Sequence, residues 1–394
     1  AAHIEYYIRI LKQKCIQREL ITASYDILKS SYDEAVNVDK LIDMAESKIY
    51  DAVKNNVKKD VQDIGKVINA ALDEIERLQD VAGLSGVPSG FPSLDKITLG
   101  WQASDLIILA ARPSVGKTAF VLNLTRNAAV DHNMPVAFFS LEMQAIQLAK
   151  RMMVTETRLS ADKIKGGVKL QEWEWEQLNI QLTRLTNAPI YIDDTPSLPV
   201  MEFRSKVKKL VNQKGVRLVV VDYLQLMQGP AELRGMREQE VAAISRTLKA
   251  TAKEMNVPII ALSQLSRQSE NRVGSNRRPQ LSDLRESGSI EQDADMVLFI
   301  HRHDYQGLNE DANDVGRTQI IIAKHRNGSI GDIDMRFRAE EVRFVDEEES
   351  LIRQAESAPV ASAMNVDSVE GFGAPFHSQS AGPSDDFGGY SEFM

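Results

Sequence analysis

The stretch Leu106–Phe120, LIILAARPSVGKTAF, decides how the whole chain is read. Leu106–Ala110 is a continuous apolar run, the mark of a strand buried on both faces. Thr118–Ala129 then has helical spacing, with Phe120, Leu124 and Ala128 on one side. A strand, a tight loop and a helix are the setting that a phosphate-binding loop of the type G-x-x-x-x-G-K-[ST] requires. Ala111 stands where that pattern has its first glycine. That position mainly needs a small residue, whereas at Gly116 the backbone must approach a phosphate closely. The candidate nucleotide-binding residues are therefore Ser114, Val115, Gly116, Lys117, Thr118 and Ala119. Their backbone N–H groups would wrap a phosphate at a helix N-terminus. Lys117 would supply a point charge for the β- and γ-phosphates of ATP, and the Thr118 hydroxyl would ligate Mg²⁺. The competing reading is a chance match in an ordinary strand–turn–helix unit.

Composition sets the outer bounds. The 394 residues exceed one small core and suggest two or more folded regions. Charged residues at 26% and hydrophobic residues at 43% make an ordinary soluble balance. The single cysteine, Cys15, excludes an internal disulfide and fits a reducing compartment, so a cytoplasmic location is expected. No apolar run approaches membrane-spanning length and no signal peptide is visible, so no membrane partner is expected. The net charge of −9 argues mildly against a protein coated in nucleic acid, but a narrow basic channel is compatible with it. The opening AAHIEYY lacks Met and enters a helical pattern at once, which suggests that an N-terminal part is missing.

Along the chain, residues 1–57 read as a partial helical domain. Ile4, Ile8, Leu11 and Cys15 share one face, and Leu41, Ile42, Ala45, Ile49 and Val53 line a later helix. Residues 58–90 read as a linker. Within it an amphipathic helix over 60–81 carries the stripe Ile64, Val67, Ile68, Ala71, Leu72, Ile75 and Leu78. That stripe suits either an internal core or a neighbouring subunit. GLSGVPSGFPS then punctuates the chain. From 91 to 347, the apolar runs LIILAA, PVAFFSLE, IYIDD, LVVVDYL, PIIALSQ, MVLFIHR and TQIIIAKH alternate mostly with helical stretches. That alternation indicates an α/β fold with βαβ units and a mostly parallel sheet. Residues 348–394 are rich in Ser, Gly, Ala and Pro with scattered acids, and read as a disordered acidic tail.

Five further segments carry chemistry. Asp222 ends the apolar strand of VVVDYLQ, where a nucleotide site places its magnesium-supporting acid; elsewhere such an Asp often only caps the next element. Glu142 in AFFSLEM lies just past another strand and suits a base that orients and deprotonates the attacking water. The competing reading, compatible with it, is an N-cap or first-turn acid of the next helix; the catalytic role is favoured. Gln264 ends IIALSQ and could hydrogen-bond a γ-phosphate, or be a surface glutamine. Lys324 and Arg326 in KHRNGSIG follow a strand and precede a turn at Asn327–Gly328. They are either solvated hairpin cations or a pair reaching into a neighbour's nucleotide. RRPQLSDLRESGSIEQDAD, Arg277–Asp295, reads as a polar mobile loop in which Arg277, Arg278 and Arg285 could contact phosphates near the backbone of Gly288. No aromatic run accompanies it, so base stacking is not evident.

Together ARPSVGKT, FFSLEM, VVVDYLQLM, ALSQLSR, RRPQLSDLRESGSIEQDAD and KHRNGSIG, in that order, resemble the DnaB family of replicative hexameric DNA helicases. The likeness covers about residues 84–345, and the preceding helices resemble that family's N-terminal domain and linker helix. The resemblance implies a RecA-like P-loop ATPase domain, preceded by an all-α N-terminal region and a linker helix. It implies a homo-hexameric ring with ATP and Mg²⁺ between subunits, and unwinding by 5′→3′ movement on single-stranded DNA. By the same resemblance Lys117 and Thr118 bind phosphates and Mg²⁺, Asp222 supports the metal, Glu142 activates water and Gln264 senses the γ-phosphate. Lys324 and Arg326 would serve the adjacent subunit's ATP, and Arg285, Glu286 and Gly288 would face the DNA. Primase and a helicase loader are the expected partners. Two other classes on the same fold are a RecA-like recombinase and an ATPase switch that binds no nucleic acid.

Overall fold

The structure is a computed structural model, which describes residues 2–33, 38, 41, 44–45, 48–49, 52, 63–80, 84–157, 159–265, 278–302 and 316–346. The acidic tail expected at 348–394 lies outside these residues, as does most of 34–62.

Helix α1 (Ala2–Ser31) is one long helix that exposes Ile8, Leu11 and Cys15. Helix α2 (Ile64–Asp80) forms within the expected linker, and its apolar face is exposed at Ile64, Val67, Ile68, Leu72 and Ile75. Among the described residues, no helix is long and apolar enough to cross a membrane.

Beyond the linker, a short helix α3 (Pro92–Thr98) precedes β1 (Leu106–Ala111), α4 (Lys117–Arg126) and β2 (Val136–Ser140). Next come α5 (Ala145–Thr157), α6 (Ala161–Lys165), α7 (Glu172–Asn187), β3 (Ile190–Asp193), α8 (Val200–Lys214) and β4 (Leu218–Asp222). The sequence continues through α9 (Arg237–Met255), β5 (Ile259–Gln264), α10 (Gly288–Asp293), β6 (Met296–Arg302), β7 (Arg317–His325), β8 (Gly331–Arg338) and β9 (Arg343–Asp346). Among the described residues the strands form one sheet in the order β3-β2-β4-β5-β1-β6-β7-β8-β9. The first six of these are mutually parallel, and β7, β8 and β9 are antiparallel to their neighbours.

Alternation along β1 explains the two layers. Ile107, Leu109 and Ala111 face one side and pack with Phe120 and Leu124 of α4. Leu106, Ile108 and Ala110 face the other and pack with Ile244 and Leu248 of α9. Both faces are covered, so every β1 residue is buried, as the unbroken apolar run predicts. Burying each such Leu or Ile contributes roughly 1.5–3 kcal/mol before the entropy of ordering is counted.

The seven strands expected from the sequence form within two residues of their predicted ends. Two features differ. TQIIIAKH is not the last strand, because β8 and β9 extend the sheet beyond it. The polar segment Leu281–Asp293 is not a plain loop but a 3₁₀ stretch, Leu281–Ser287, running into α10. The 3₁₀ stretch is anchored by Leu284, which is buried in the same layer as Leu248.

Parallel register brings the carboxyl ends of four strands to one rim: Ala111 lies beside Gln264, and Ser140 beside Asp222. Because β7 runs antiparallel to β6, with Met296 opposite His325, residue 326 emerges at the other rim. A six-residue strand at about 3.3 Å per residue separates the two rims by on the order of 20 Å.

Candidate nucleotide-binding site

The loop between β1 and α4 has a geometry that few side chains tolerate. Ser114 has φ 63° and Gly116 φ 114°, both in left-handed territory. A Cβ at Gly116 would also stand 3.2 Å from Cζ of Phe344 on β9, a tight contact that adds to the preference for glycine set by its φ. The turn leaves the first N–H groups of α4 pointing into a cavity of about 820 Å³. Ser114, Gly116, Lys117, Thr118 and Ala119 line that cavity, together with Glu142, Asp222 and Gln264. Val115 points inward instead and is buried in the core beneath the loop.

The Lys117 ammonium donates to the carbonyl oxygens of Ala111 at 3.0 Å and Ser263 at 3.2 Å, bracing the tips of β1 and β5. Burial lowers its pKa to about 8, against the opposing pull of Asp222 and Glu142. Thr118 Oγ1 donates to Asp222 Oδ2 at 2.9 Å. Burial raises Asp222 to about 6; the Thr118 hydrogen bond opposes that rise and the Glu142 charge adds to it. A hydroxyl and a carboxylate held this close can ligate Mg²⁺ directly and through water, which suits a cation that keeps most of its shell from water and phosphate.

Glu142 lies in the bend after β2 and is exposed to the cavity. The capping alternative is not used: the first N–H of α5, from Ala145, donates to Asp194 Oδ2 at 2.9 Å. Gln264 sits at the β5 tip, where its backbone N–H donates to Gln225 Oε1 at 3.4 Å. Gln225 in turn donates from Nε2 to Ser263 Oγ at 2.8 Å, tying the segment after β4 to the β5 tip.

The two candidate cations, Lys324 near the end of β7 and Arg326 just past it, are not in this cavity. Lys324 donates to the carbonyls of Glu291 at 2.5 Å and Ala294 at 2.8 Å. Burial, reinforced by the charge of Arg326, holds its pKa below the usual lysine value. Arg326 bonds Asp295 and the carbonyl of Gln292, at the rim opposite the loop. Of the candidate nucleic-acid residues, Arg277 lies outside the described residues. Arg278 is exposed and pairs with Asp332 of β8. Arg285, Glu286 and Gly288 are placed in the 3₁₀ stretch and at the start of α10 by their backbone alone.

Sequence reading missed two walls of the cavity. Gln147, Lys150, Arg151 and Val154 line it from α5. Their spacing of i, i+3, i+4 and i+7 is a single helical face, a signal that was present immediately after Glu142. Arg151 also acts electrostatically on Asp222. Phe337 and Val342 close the cavity from the β8–β9 hairpin, almost 200 residues from Glu142 in the chain.

Comparison with known proteins agrees with this geometry. The model of the DnaB-like helicase C terminal domain matches residues 86–346. The replicative DNA helicase DnaB of Geobacillus stearothermophilus is 45% identical over 347 residues, covering 88% of this chain and 75% of that protein. The replicative DNA helicase DnaC of Bacillus subtilis (strain 168) is 44% identical over the same length and coverage. Among solved structures, one isolated ATPase domain superposes with TM-score 0.67 at 38% identity, covering 73% of this chain and 99% of that one. A DnaB-like replicative helicase, studied for its interactions with primase, superposes with TM-score 0.69 at 34% identity, covering 86% and 78%.

Proposed function

The chain belongs to the DnaB-like helicase family and is an ATP-dependent replicative DNA helicase, and from that premise we propose how its residues divide the work. One observation carries the proposal: Lys117, Thr118, Asp222 and Glu142 share one rim of the sheet, while Arg326 and Lys324 occupy the other. A strand length of on the order of 20 Å puts these cations beyond reach of the chain's own nucleotide. They reach the ATP of an adjacent copy, so each active site is made from two chains.

In that shared site the loop N–H groups and Lys117 hold the phosphates. Thr118 and Asp222 would hold Mg²⁺, which would neutralise charge on the phosphate oxygens. Glu142 orients the attacking water and accepts its proton. Arg326 from the neighbour places a planar, forked donor against the charge that develops on the γ-phosphoryl group. Gln264 reports the presence of that group to the segments it touches. The copies close into a six-membered ring, and the segment bearing Arg277, Arg278, Arg285, Glu286 and Gly288 faces single-stranded DNA in its centre. Primase and a loader act on that ring.

The test is strand displacement with forked DNA bearing either a 5′ or a 3′ single-stranded arm. ATP-dependent separation that requires the 5′ arm is expected. Separation that needs only the 3′ arm would reverse the assigned direction. DNA-independent hydrolysis with no displacement would remove the motor reading.

A further inference from the structure

Asp295 stands between α10 and β6 and is used by neither the phosphate chemistry nor the sheet's apolar core. Its side chain is 7% exposed, so it is a buried carboxylate that must be fully paired. The two carboxylate oxygens do different things. Oδ2 accepts the backbone N–H of Leu106 at 2.8 Å and the Lys249 ammonium, which ties the start of β1 to α9. Oδ1 faces outward and accepts from Nη1 of Arg326 at 3.3 Å. The backbone carbonyl of Asp295 accepts the Arg326 N–H at 2.9 Å, and Nη2 of Arg326 donates to the Gln292 carbonyl at the end of α10.

We propose that Asp295 is a positioning residue for ATP hydrolysis: Oδ1, with the Gln292 carbonyl, fixes the plane of the Arg326 guanidinium that enters the neighbouring copy's nucleotide site. This rests on the shared-site reading above. Two acceptors on two N–H groups of one planar fork set both its position and its tilt, which a single contact does not. The Arg326 side chain is 46% exposed, so without such a clasp it would sample many rotamers at the rim. Lys249 and Leu106 already occupy Oδ2, so Oδ1 is the oxygen left to hold the half-exposed guanidinium of Arg326.

The experiment is Asp295→Asn in the full chain, measured for ATP turnover alone and in rings mixed with Glu142→Gln chains. Misplacing the guanidinium by about 1 Å should lower kcat on the order of 10²-fold, with affinity for an ATP analogue unchanged. A defect in a residue that acts through the neighbour should be complemented. In mixed rings some interfaces join an intact Glu142 to an intact Arg326–Asp295 pair, so activity should return. A defect in the chain's own site would leave every interface damaged. Arg326→Ala mixed with Glu142→Gln is the control. Recovery there, without recovery for Asp295→Asn in rings shown to contain both chains, would overturn the positioning role alone. Failure of both mixtures would overturn the shared site itself. Should the amide fail to fold beside the Lys249 ammonium, Asp295→Asn combined with Lys249→Met removes that conflict and repeats the test. Lys249→Met alone should lower the melting temperature and leave kcat unchanged; a matching loss of kcat would make Asp295 structural.

Discussion

Lys117 and Asp222 sit in one cavity, and burial pushes each toward its neutral form. The lysine, lowered to about 8, carries its charge below that pH and loses it as pH rises. The aspartic acid, raised to about 6, is ionised above that pH and protonates as pH falls. Both charges that the proposed site for ATP and Mg²⁺ needs therefore coexist between these two values. Affinity for an ATP analogue with Mg²⁺ should peak between pH 6 and 8, with an acid limb from Asp222 and an alkaline limb from Lys117. Titration calorimetry across pH checks this: Asp222→Asn should weaken binding and abolish the acid limb. An acid limb that survives the substitution would assign it to another group. Glu142 is separable from this pair because it is exposed to the cavity and caps no helix. Glu142→Gln should keep nucleotide binding and lower turnover by roughly 10²–10⁴-fold. Near-normal turnover would leave Glu142 as a bystander.

The β8–β9 hairpin closes the cavity, although its residues are remote from the phosphate loop in the chain. Val342, at the hairpin turn, has φ 51°, a left-handed conformation that a β-branched residue avoids. Asn123 of α4 holds it there: Nδ2 donates to the Val342 carbonyl at 3.2 Å, and Oδ1 accepts the Phe344 N–H at 2.7 Å. The Phe344 N–H is buried, so Asn123→Ala should cost about 1–3 kcal/mol by removing its acceptor, while the half-buried Val342 carbonyl keeps the Thr155 hydroxyl at 3.5 Å. It should also weaken nucleotide affinity as the Phe337–Val342 wall loosens. Denaturant unfolding and analogue binding measured together check both effects, and loss of stability with full affinity would confine Asn123 to the fold. The hairpin also marks the limit of what was legible. The parallel strands announced themselves because burial on both faces demands continuous apolar runs. β8 spreads Ile333, Met335 and Phe337 among charged residues, a period-two pattern that was present but quieter. The phosphate loop was legible because its parts are contiguous. The α5 face and the hairpin wall were not, since only the folded sheet brings them to Lys117. Lys324 and Arg326 were visible as residues, but only the antiparallel pairing of β7 with β6 sets their distance from the chain's own cavity.

At the scale of the whole molecule, the shared-site proposal makes the sheet a spacer between half-sites. One rim carries the phosphate loop and the other carries Arg326 with its Asp295 clasp. In the same proposal, the exposed apolar stripe of Ile64, Val67, Ile68, Leu72 and Ile75 on α2 gives copies a second surface through which to associate. In the shared-site proposal, nucleotide binding needs one rim only, and hydrolysis needs two rims from different copies. Binding and turnover should therefore respond differently to dilution. An isolated chain should bind an ATP analogue with its full affinity yet hydrolyse ATP slowly, because the arginine's contribution of about 10³–10⁵ in rate is absent. Turnover per chain should rise with protein concentration and level off where sedimentation shows assembly to be complete. Leu72→Asp should move both transitions to higher concentration together while leaving the melting temperature of the ATPase region unchanged. Turnover per chain that stays constant from fully dissociated to fully assembled protein would mean that each chain holds a complete site, and the division of labour across the sheet would fall.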